Sequence, residues 1–289
     1  MIQRLFMAVT AFTVIAGAAP QGGYQGPHRA GVRLNSGRAS DLRQAPSARE
    51  IIAGSRAAFY AAAEDMRARV QMALISEDGR TRQRELTMLR KNFPGGEQRY
   101  YMYFHQPPDV RGTAFLVRAY PERADERWIY IPAINLVRRI AADDARSSFV
   151  GSDFSYEDVS GRDVDADEHR LLREDTVQGR AAYVIESQPV RPADYTRRVS
   201  WIDEATGLPL REEYYDVQGE LARVFASDET REVEAGGTAI PTVVKRSMEN
   251  VKTGHRTEVV FSEIEYDVGI QDDLFTEMSL RRPPRRWIR

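Results

Sequence analysis

The chain has 289 residues, of which 42% are hydrophobic and 29% charged, enough apolar material for one substantial core. The formal net charge of −2 argues against nucleic acid as a main partner. There is no cysteine, which excludes thiol catalysis, cysteine metal ligands, disulfides and a lipid-modified N-terminal cysteine.

Residues 1–19 have the features of a secretory signal peptide. Arg4 supplies the positive start, residues 5–16 form an apolar run, and small residues follow at 16–19. The run is shorter than the roughly 20 residues that span a bilayer, which favours a cleaved signal over a membrane anchor. We therefore expect an exported, periplasmic protein whose mature N-terminus lies near Ala19 or Pro20.

Residues 20–46 are rich in glycine, serine and arginine and show little apolar periodicity, which predicts a disordered linker. The arginines of this segment outnumber its one carboxylate, Asp41. Weak attraction to an anionic membrane surface therefore stays open beside the simpler interpretation, a solvated tether.

A helix is predicted over residues 47–65. Ser47 and Glu50 form a capping box directly after Pro46. Apolar side chains then recur at helical spacing, at Ile52, Phe59, Ala63 and Met66. The helix should therefore be amphipathic and pack one apolar stripe on its neighbours.

Short strands are predicted over most of the chain after this helix. Apolar and polar residues alternate, and turn residues such as Asp78-Gly79 separate the runs. The predicted strands cover residues 68–74, 81–90, 100–105, 113–120, 128–131, 136–140, 169–176, 181–187, 195–202, 210–215, 221–227, 243–250 and 257–264. This rhythm predicts an antiparallel meander in a single domain over residues 47–280.

The predicted fold class is mainly β with helices (α+β). A single sheet of about ten strands must curl, and its apolar concave face must be covered. The N-terminal helix is the expected plug, but it is too narrow to cover the whole sheet. We therefore expect a remaining apolar cavity of at least several hundred cubic ångströms, on the order of a usual ligand pocket. Residues 281–289 form a basic, proline-rich tail that we expect to be frayed.

The most unusual stretch is 128–159. It begins as a strand containing Trp128 and Tyr130, and it ends with Phe149, Phe154 and Tyr156 interleaved with acids. Either its charged residues form a buried hydrogen-bonded network or they contact a ligand, and we favour the network. The charged residues in question are Arg138, Arg139, Arg146, Asp153, Glu157 and Asp158.

No catalytic, metal or cofactor motif stands out. The four histidines are scattered, with no H-E-x-x-H spacing, and there is no G-x-S-x-G elbow or glycine-rich phosphate loop. The adjacent acids Asp143-Asp144 and Glu157-Asp158 resemble solvated or arginine-paired carboxylates more than a hydrolase pair. We predict a protein that is not an enzyme.

Five sequence blocks carry a family resemblance, and they occur in the family's order. They are RGTAFL at 111–116, WIYIPA at 128–133, RRIA at 138–141, FVGSDFSYEDV at 149–159 and WID at 201–203. The chain resembles, over residues 66–280, the outer-membrane lipoprotein-sorting (LolA/LolB-like) family. The most similar branch is the one found alongside lipid exporters of the resistance-nodulation-division (RND) type.

The resemblance implies a half-open antiparallel β-barrel whose concave apolar cavity, covered by helices, holds acyl chains. It also implies transport across the periplasm towards the outer membrane, without catalysis or cofactors. The implied partners are lipoprotein acyl chains or free lipid, an inner-membrane RND-type exporter and an outer-membrane acceptor. We expect a monomer.

An acyl-chain carrier needs an apolar and adaptable lining, because burying each methylene is worth about 0.8 kcal/mol. Ordinary core packing is the alternative for each aromatic candidate. The candidate lining residues are Met72, Met88, Met102, Trp128, Tyr130, Phe149, Phe154 and Tyr156.

Three functions therefore stay open: a lipid or lipoprotein carrier, a periplasmic adaptor of a membrane transporter, and an enzyme acting on a lipid or glycan. An enclosed apolar cavity favours the carrier, whereas a filled barrel with an exposed apolar patch favours the adaptor. A cleft with convergent polar groups of strongly perturbed pKa would favour the enzyme.

Overall fold

The computed structural model describes residues 46–288, except 122, 142, 143, 145, 192 and 194. The predicted signal peptide, nearly all of the predicted linker and Asp143 lie outside the described residues. None of the helices within the described ranges is long and apolar enough to cross a membrane.

Helix α1 spans Ala48–Tyr60 and begins with the predicted capping box. The Glu50 carboxylate accepts from the Ser47 backbone N–H at 2.8 Å, and the Ser47 hydroxyl accepts from the Glu50 N–H at 3.3 Å. The helix ends five residues before the predicted 65. The chain turns through Ala63 at a φ of 61°, while Asn92 donates to the carbonyls of Ala61 and Ala63.

Thirteen strands form one antiparallel sheet in the order β6-β5-β4-β3-β2-β1-β13-β12-β11-β10-β9-β8-β7. The sheet is not closed, because β6 and β7 are its two edges, and the predicted fold class is confirmed. The strands are β1 Asp65–Ile75, β2 Thr81–Asn92, β3 Gln98–Gln106, β4 Ala114–Ala119, β5 Glu126–Ile131, β6 Leu136–Ile140, β7 Asp167–Val177, β8 Arg180–Pro189, β9 Arg197–Asp203, β10 Pro209–Tyr215, β11 Leu221–Ala235, β12 Thr238–Asn250 and β13 His255–Tyr266.

One face of the sheet, here called the inner face, is covered by two separate elements. Helix α1 contacts β7, β8, β9 and β12, so it covers only part of the sheet. The strands β1 to β4 are covered instead by residues 147–160, which we call the aromatic segment and which contain the short helix α2, Tyr156–Ser160. As predicted, α1 is too narrow to cover the whole face, because thirteen residues of helix cannot span thirteen strands; the aromatic segment is a second cover that was not predicted.

The opposite, outer face is also covered where β2 to β5 lie. Leu89, Leu116 and Trp128 pack there against residues that come after β13, including the short helix α3, Glu277–Arg281. The Tyr101 hydroxyl donates to the Ser279 carbonyl at 2.9 Å. The end of the chain contributes apolar side chains to this second core.

The expectation of a frayed C-terminal tail is therefore wrong. Trp287 and Ile288 are each only 8% exposed and belong to the outer core. The apolar area of these two side chains outweighs the basic character of the residues around them.

Trp287→Ala is expected to lower the free energy of unfolding by about 3 kcal/mol, because the side chain is buried in the outer core. Urea unfolding followed by circular dichroism measures the change. Arg285→Ala, an exposed neighbour, is the control and should shift stability by no more than about 0.5 kcal/mol. Equal effects of the two substitutions would contradict a packed tail.

Candidate functional site

The aromatic segment owes its shape to a tight polar loop. The Phe149 N–H donates to the Phe154 carbonyl at 2.7 Å, and Ser152 closes the loop from its N–H and hydroxyl onto the Phe149 carbonyl. Gly151 adopts a φ of 80°, a conformation that glycine reaches without strain. The loop places Phe149 and Phe154 in the core that packs on the inner face.

Helix α2 then fixes the third aromatic residue. Ser155 caps it and forms a second capping box with Asp158. The Tyr156 ring lies 5.6 Å from Phe149 and 5.2 Å from Phe115 of β4, between ring centroids. Aromatic packing of this kind adds about 0.5–1.5 kcal/mol per pair beyond area burial.

Six of the eight candidate lining residues meet on the inner face. Met72, Met88 and Met102 come from β1, β2 and β3, and they pack with Phe149, Phe154 and Tyr156 of the aromatic segment. All but Tyr156 also line one small cavity of about 30 Å³. The three methionines thus form a flexible apolar surface, here called the methionine floor, and the aromatics are its cover.

The expected large apolar cavity is not found among the described residues. The spaces between the covers and the sheet have volumes of about 60, 50 and 30 Å³. These are well below the roughly 300–1,000 Å³ of usual ligand pockets. The reason is that the aromatic segment, together with Phe59 near the end of α1, fills the space that α1 by itself would have left open.

Trp128 and Tyr130 do not join the other candidates. Both belong to the outer core, where the Arg118 guanidinium lies 5.6 Å from the Trp128 ring and the Arg281 guanidinium 5.7 Å from the Tyr130 ring. Their neighbour Ile129 faces inward. The period of two was correct, but β5 is apolar on both faces, so the pattern did not indicate which face is the inner one.

The charged candidates are also divided by the fold. Arg138 and Arg139 are exposed on the edge strand β6, where Arg139 pairs with Glu126 at 3.2 Å. Arg146 lines an open polar cleft instead. Within the part of the chain that the structure describes, Arg138 and Arg139 form no ion pair with Asp153, Glu157 or Asp158.

The acids Glu157 and Asp158 instead pair with arginines that come after the aromatic segment in the chain. Glu157 binds Arg162 at 2.8 Å, and Asp158 binds Arg223 of β11 at 2.9 Å. Burial raises the pKa of Glu157, and the Arg162 guanidinium opposes that rise. Arg223 is 65 residues from Asp158, so no local pattern could have identified the pair.

The Asp153 carboxylate is held by two side chains of β13. His255 Nδ1 lies 2.6 Å from Asp153 Oδ2, and the Thr257 hydroxyl donates to the same oxygen at 2.7 Å. The Asp153 N–H donates to Thr257 Oγ1 at 3.0 Å, and Arg223 donates to the Asp153 carbonyl at 3.2 Å. These contacts, here called the Asp153 latch, fasten the aromatic segment to the end of the sheet.

The open cleft lies beside the latch and has a volume of about 690 Å³. It is formed by the turns after β1 and β12 together with the aromatic segment, and most of its lining residues are polar. Phe154, which is 4% exposed, borders this cleft and also the cavities of 60 and 30 Å³. This one ring therefore separates the polar cleft from the apolar interior.

Asp153→Ala is expected to lower the free energy of unfolding by about 1 to 3 kcal/mol, since the buried Thr257 hydroxyl loses its acceptor. The loss is smaller than for a fully buried ion pair, because the His255 side chain is 23% exposed and can bind water in place of Asp153. Thermal or urea unfolding measures the change. Glu77→Ala, an exposed acid of the same cleft, should leave stability within about 0.5 kcal/mol.

The open, curled antiparallel sheet with helices on its inner face defines the class of the protein. The structure of a LolA superfamily protein, NE2245 from Nitrosomonas europaea, shares this fold. It has a TM-score of 0.62 and 18% identity, and the alignment covers 81% of this chain and 99% of that protein. This likeness establishes the fold.

Two solved structures are more similar in sequence. One is an outer membrane lipoprotein-sorting protein domain from Vibrio parahaemolyticus, with 28% identity, a TM-score of 0.75, and coverage of 81% of this chain and 98% of that one. The other is a DUF1329 family protein from Desulfovibrio piger ATCC 29098, with 30% identity, a TM-score of 0.72, and coverage of 80% and 95%.

A family model described as "-like: Uncharacterized protein" matches residues 96–282. No curated protein matches the chain in sequence. The chain belongs to the family that this model describes and to the DUF1329 family of the Desulfovibrio piger protein. The predicted resemblance to lipoprotein-sorting proteins is confirmed at the level of these structural neighbours.

Proposed function

We propose that the protein carries the acyl chain of a lipoprotein or lipid through the periplasm, bound on the inner face beneath the aromatic segment. The observation that carries the proposal is the methionine floor of β1 to β3, which is covered by a separate loop rather than by the sheet itself. The Vibrio parahaemolyticus neighbour, described as a lipoprotein-sorting domain, supports this function.

Binding requires the aromatic segment to leave the floor, because the cavities present are too small for an acyl chain. Without cargo, the acyl-chain site is occupied by the side chains of Phe149, Phe154 and Tyr156. When an acyl chain replaces these side chains, the methionine floor stays covered. The exchange therefore exposes little of the floor's apolar surface to water. The site thus stays covered in both states.

The Asp153 latch controls that exchange in this proposal. It joins the segment to β13 through side chains at its rim, whereas the floor holds the segment only by apolar contacts. Opening the latch together with the Asp158–Arg223 pair frees the segment without unfolding the sheet. Apolar contacts without directional bonds suit a cover that must be replaced by cargo.

A disulfide lock tests the proposal, and the chain has no native cysteine to interfere. Asp153→Cys and Thr257→Cys place two thiols where the native side chains are in hydrogen-bond contact. The reduced double variant should show saturable fatty-acid binding in a fluorescent dye displacement titration, and the oxidised form should show none. The single-cysteine variants are the controls under both conditions. Equal binding by the locked and reduced forms would contradict a moving cover.

The route of the cargo in this proposal rests on the resemblance to lipoprotein-sorting proteins. The signal peptide is cleaved near Ala19, and an inner-membrane RND-type exporter hands cargo to the carrier for delivery to an outer-membrane acceptor. Mass spectrometry of lipids extracted from protein purified from its own periplasm identifies the cargo. Intact-mass analysis of the same sample gives the mature N-terminus, and retained Met1 would contradict cleavage.

An adaptor remains the second candidate, because the inner face is filled and two large apolar side chains are exposed near one edge of the sheet. Near the edge strand β6, Ile134 is 65% exposed and Leu136 is 42% exposed. An unpaired edge strand can accept a strand from a partner protein. Absence of saturable acyl-chain binding by the wild type would favour this candidate over the carrier.

A further inference from the structure

Arg246 of β12 occupies a singular position on the inner face. It lines all three cavities between the sheet and its covers, of about 60, 50 and 30 Å³. Its guanidinium lies 4.8 Å from the Phe261 ring, 5.3 Å from Phe59 and 5.5 Å from Phe154. A cation is thus placed among aromatic rings, next to the methionine floor.

No ion pair neutralises this guanidinium within the described ranges. No carboxylate oxygen there lies within 4.0 Å of it, and its buried Nε has no hydrogen-bond partner. Arg198, on β9 and also facing the inside, differs: Glu212 lies at 3.6 Å and Asp167 at 3.7 Å. Burial opposes the charge of Arg198, yet Glu212 and its other partners raise its pKa well above the ordinary value.

Burial lowers the pKa of Arg246, and the neighbouring Tyr60, Asp158 and Tyr100 only partly offset that effect. Asp158 is engaged elsewhere, since its Oδ2 accepts from Arg223 and from the Ser155 N–H. An arginine nevertheless remains protonated at neutral pH. Cation–π contacts compensate part of its lost hydration, but a half-buried cation that has no counter-ion among the described residues is a strong site for an anion.

We infer that Arg246 binds the acidic head of an anionic amphiphile, a carboxylate or a phosphate, whose tail lies on the methionine floor. The inference deepens the proposed carrier function and rests on it, because the tail uses the same inner face. The cavity that Arg246 shares with Met72, Met88 and Met102 joins the two parts of the ligand. The cargo class is then an acidic lipid rather than a neutral acyl chain.

Displacement of the neutral dye N-phenyl-1-naphthylamine by oleate and by oleyl alcohol tests the inference. The two ligands share a tail, and only oleate carries a charge. The wild type should bind oleate more tightly, and Arg246→Met should weaken oleate binding about 10- to 100-fold, as expected for a lost charge-assisted contact. Binding of oleyl alcohol should not weaken. Lys245→Met, on the adjacent position of β12 and paired with Glu258, is the matched control and should change neither ligand.

Oleoyl lysophosphatidate and inorganic phosphate distinguish an acidic lipid from a free anion. Displacement by the lipid but not by phosphate is the expected result, and displacement by phosphate alone would overturn the inference. Should Arg246→Met fail to melt cooperatively, Arg246→Lys, which retains the charge, must keep the preference for oleate. Equal binding of oleate and oleyl alcohol by the wild type would overturn the inference while leaving the carrier intact. Failure of both ligands to bind would reject the carrier itself.

Discussion

Met72→Glu is expected to weaken acyl-chain binding at least about 100-fold, a larger functional effect than the loss of the Arg246 charge. Met72 is 4% exposed and lies on the methionine floor. A carboxylate there imposes a desolvation penalty on any apolar guest of about 3 kcal/mol or more, and each 1.4 kcal/mol is a factor of ten in affinity. The nearby Arg246 does not restore binding, because the introduced carboxylate would pair with its guanidinium and compete with the acidic head of the ligand. Dye displacement by a fatty acid measures the loss.

The matched control is Gln71→Glu, one residue earlier on β1. Gln71 is exposed on the opposite side of the strand, so the same carboxylate is added without touching the floor. This variant should bind like the wild type. If Met72→Glu does not fold by circular dichroism, the uncharged Met72→Gln replaces it and should still weaken binding. Equal binding by the folded floor variant and its control would reject the inner face as the acyl site.

Asp65→Ala is expected to cause the largest loss of stability, about 2 to 6 kcal/mol. Asp65 is 1% exposed, and its two carboxylate oxygens accept the N–H groups of Val268 at 2.8 Å and Ile270 at 2.7 Å. Each buried donor left without an acceptor costs about 1–3 kcal/mol. Asp65 thereby ties the start of β1 to the chain that leads into the outer core. Urea unfolding gives the change in the free energy of unfolding.

Two further variants show whether those acceptor atoms are responsible. Asp65→Asn keeps one carbonyl oxygen and should lie between the wild type and Asp65→Ala. Asp267→Ala removes an exposed acceptor of the Glu64 N–H at the same junction and should cost less than about 1 kcal/mol. A loss for Asp65→Ala no greater than that for Asp267→Ala would show that the buried carboxylate does not hold this junction.

Local features of the fold could be predicted because their causes are local. The helix start at Ala48 depends on Ser47 and Glu50, which are three residues apart. The strands were predicted from a period of two, and the hairpin between β1 and β2 from Asp78-Gly79. The end of α1 was predicted five residues late, since the side chain that holds the turn after Tyr60 comes from Asn92 on another strand.

The candidate site could be predicted only in part. The methionines of β1 to β3 and the aromatics of residues 149–156 do meet, because neighbouring antiparallel strands bring residues of equal parity to one face. Trp128 and Tyr130 were assigned to the same site, yet they lie on the outer face. No pattern in the sequence indicated Arg246, because it is one of two adjacent cations, Lys245 and Arg246, in β12.

By itself, the sequence determined the class of the fold, the alternation of side chains between the two faces of each strand, and the aromatic character of residues 149–156. Only the tertiary structure decided which face of the sheet is the inner one, because β4 is buried on both faces and its pattern is compatible with either. It also decided the charge pairs, since Asp158 reaches Arg223 across 65 residues of chain. Such contacts depend on how strands distant in sequence are placed in the sheet. That placement is stabilised by packing across the whole core, and no single segment of the sequence encodes it.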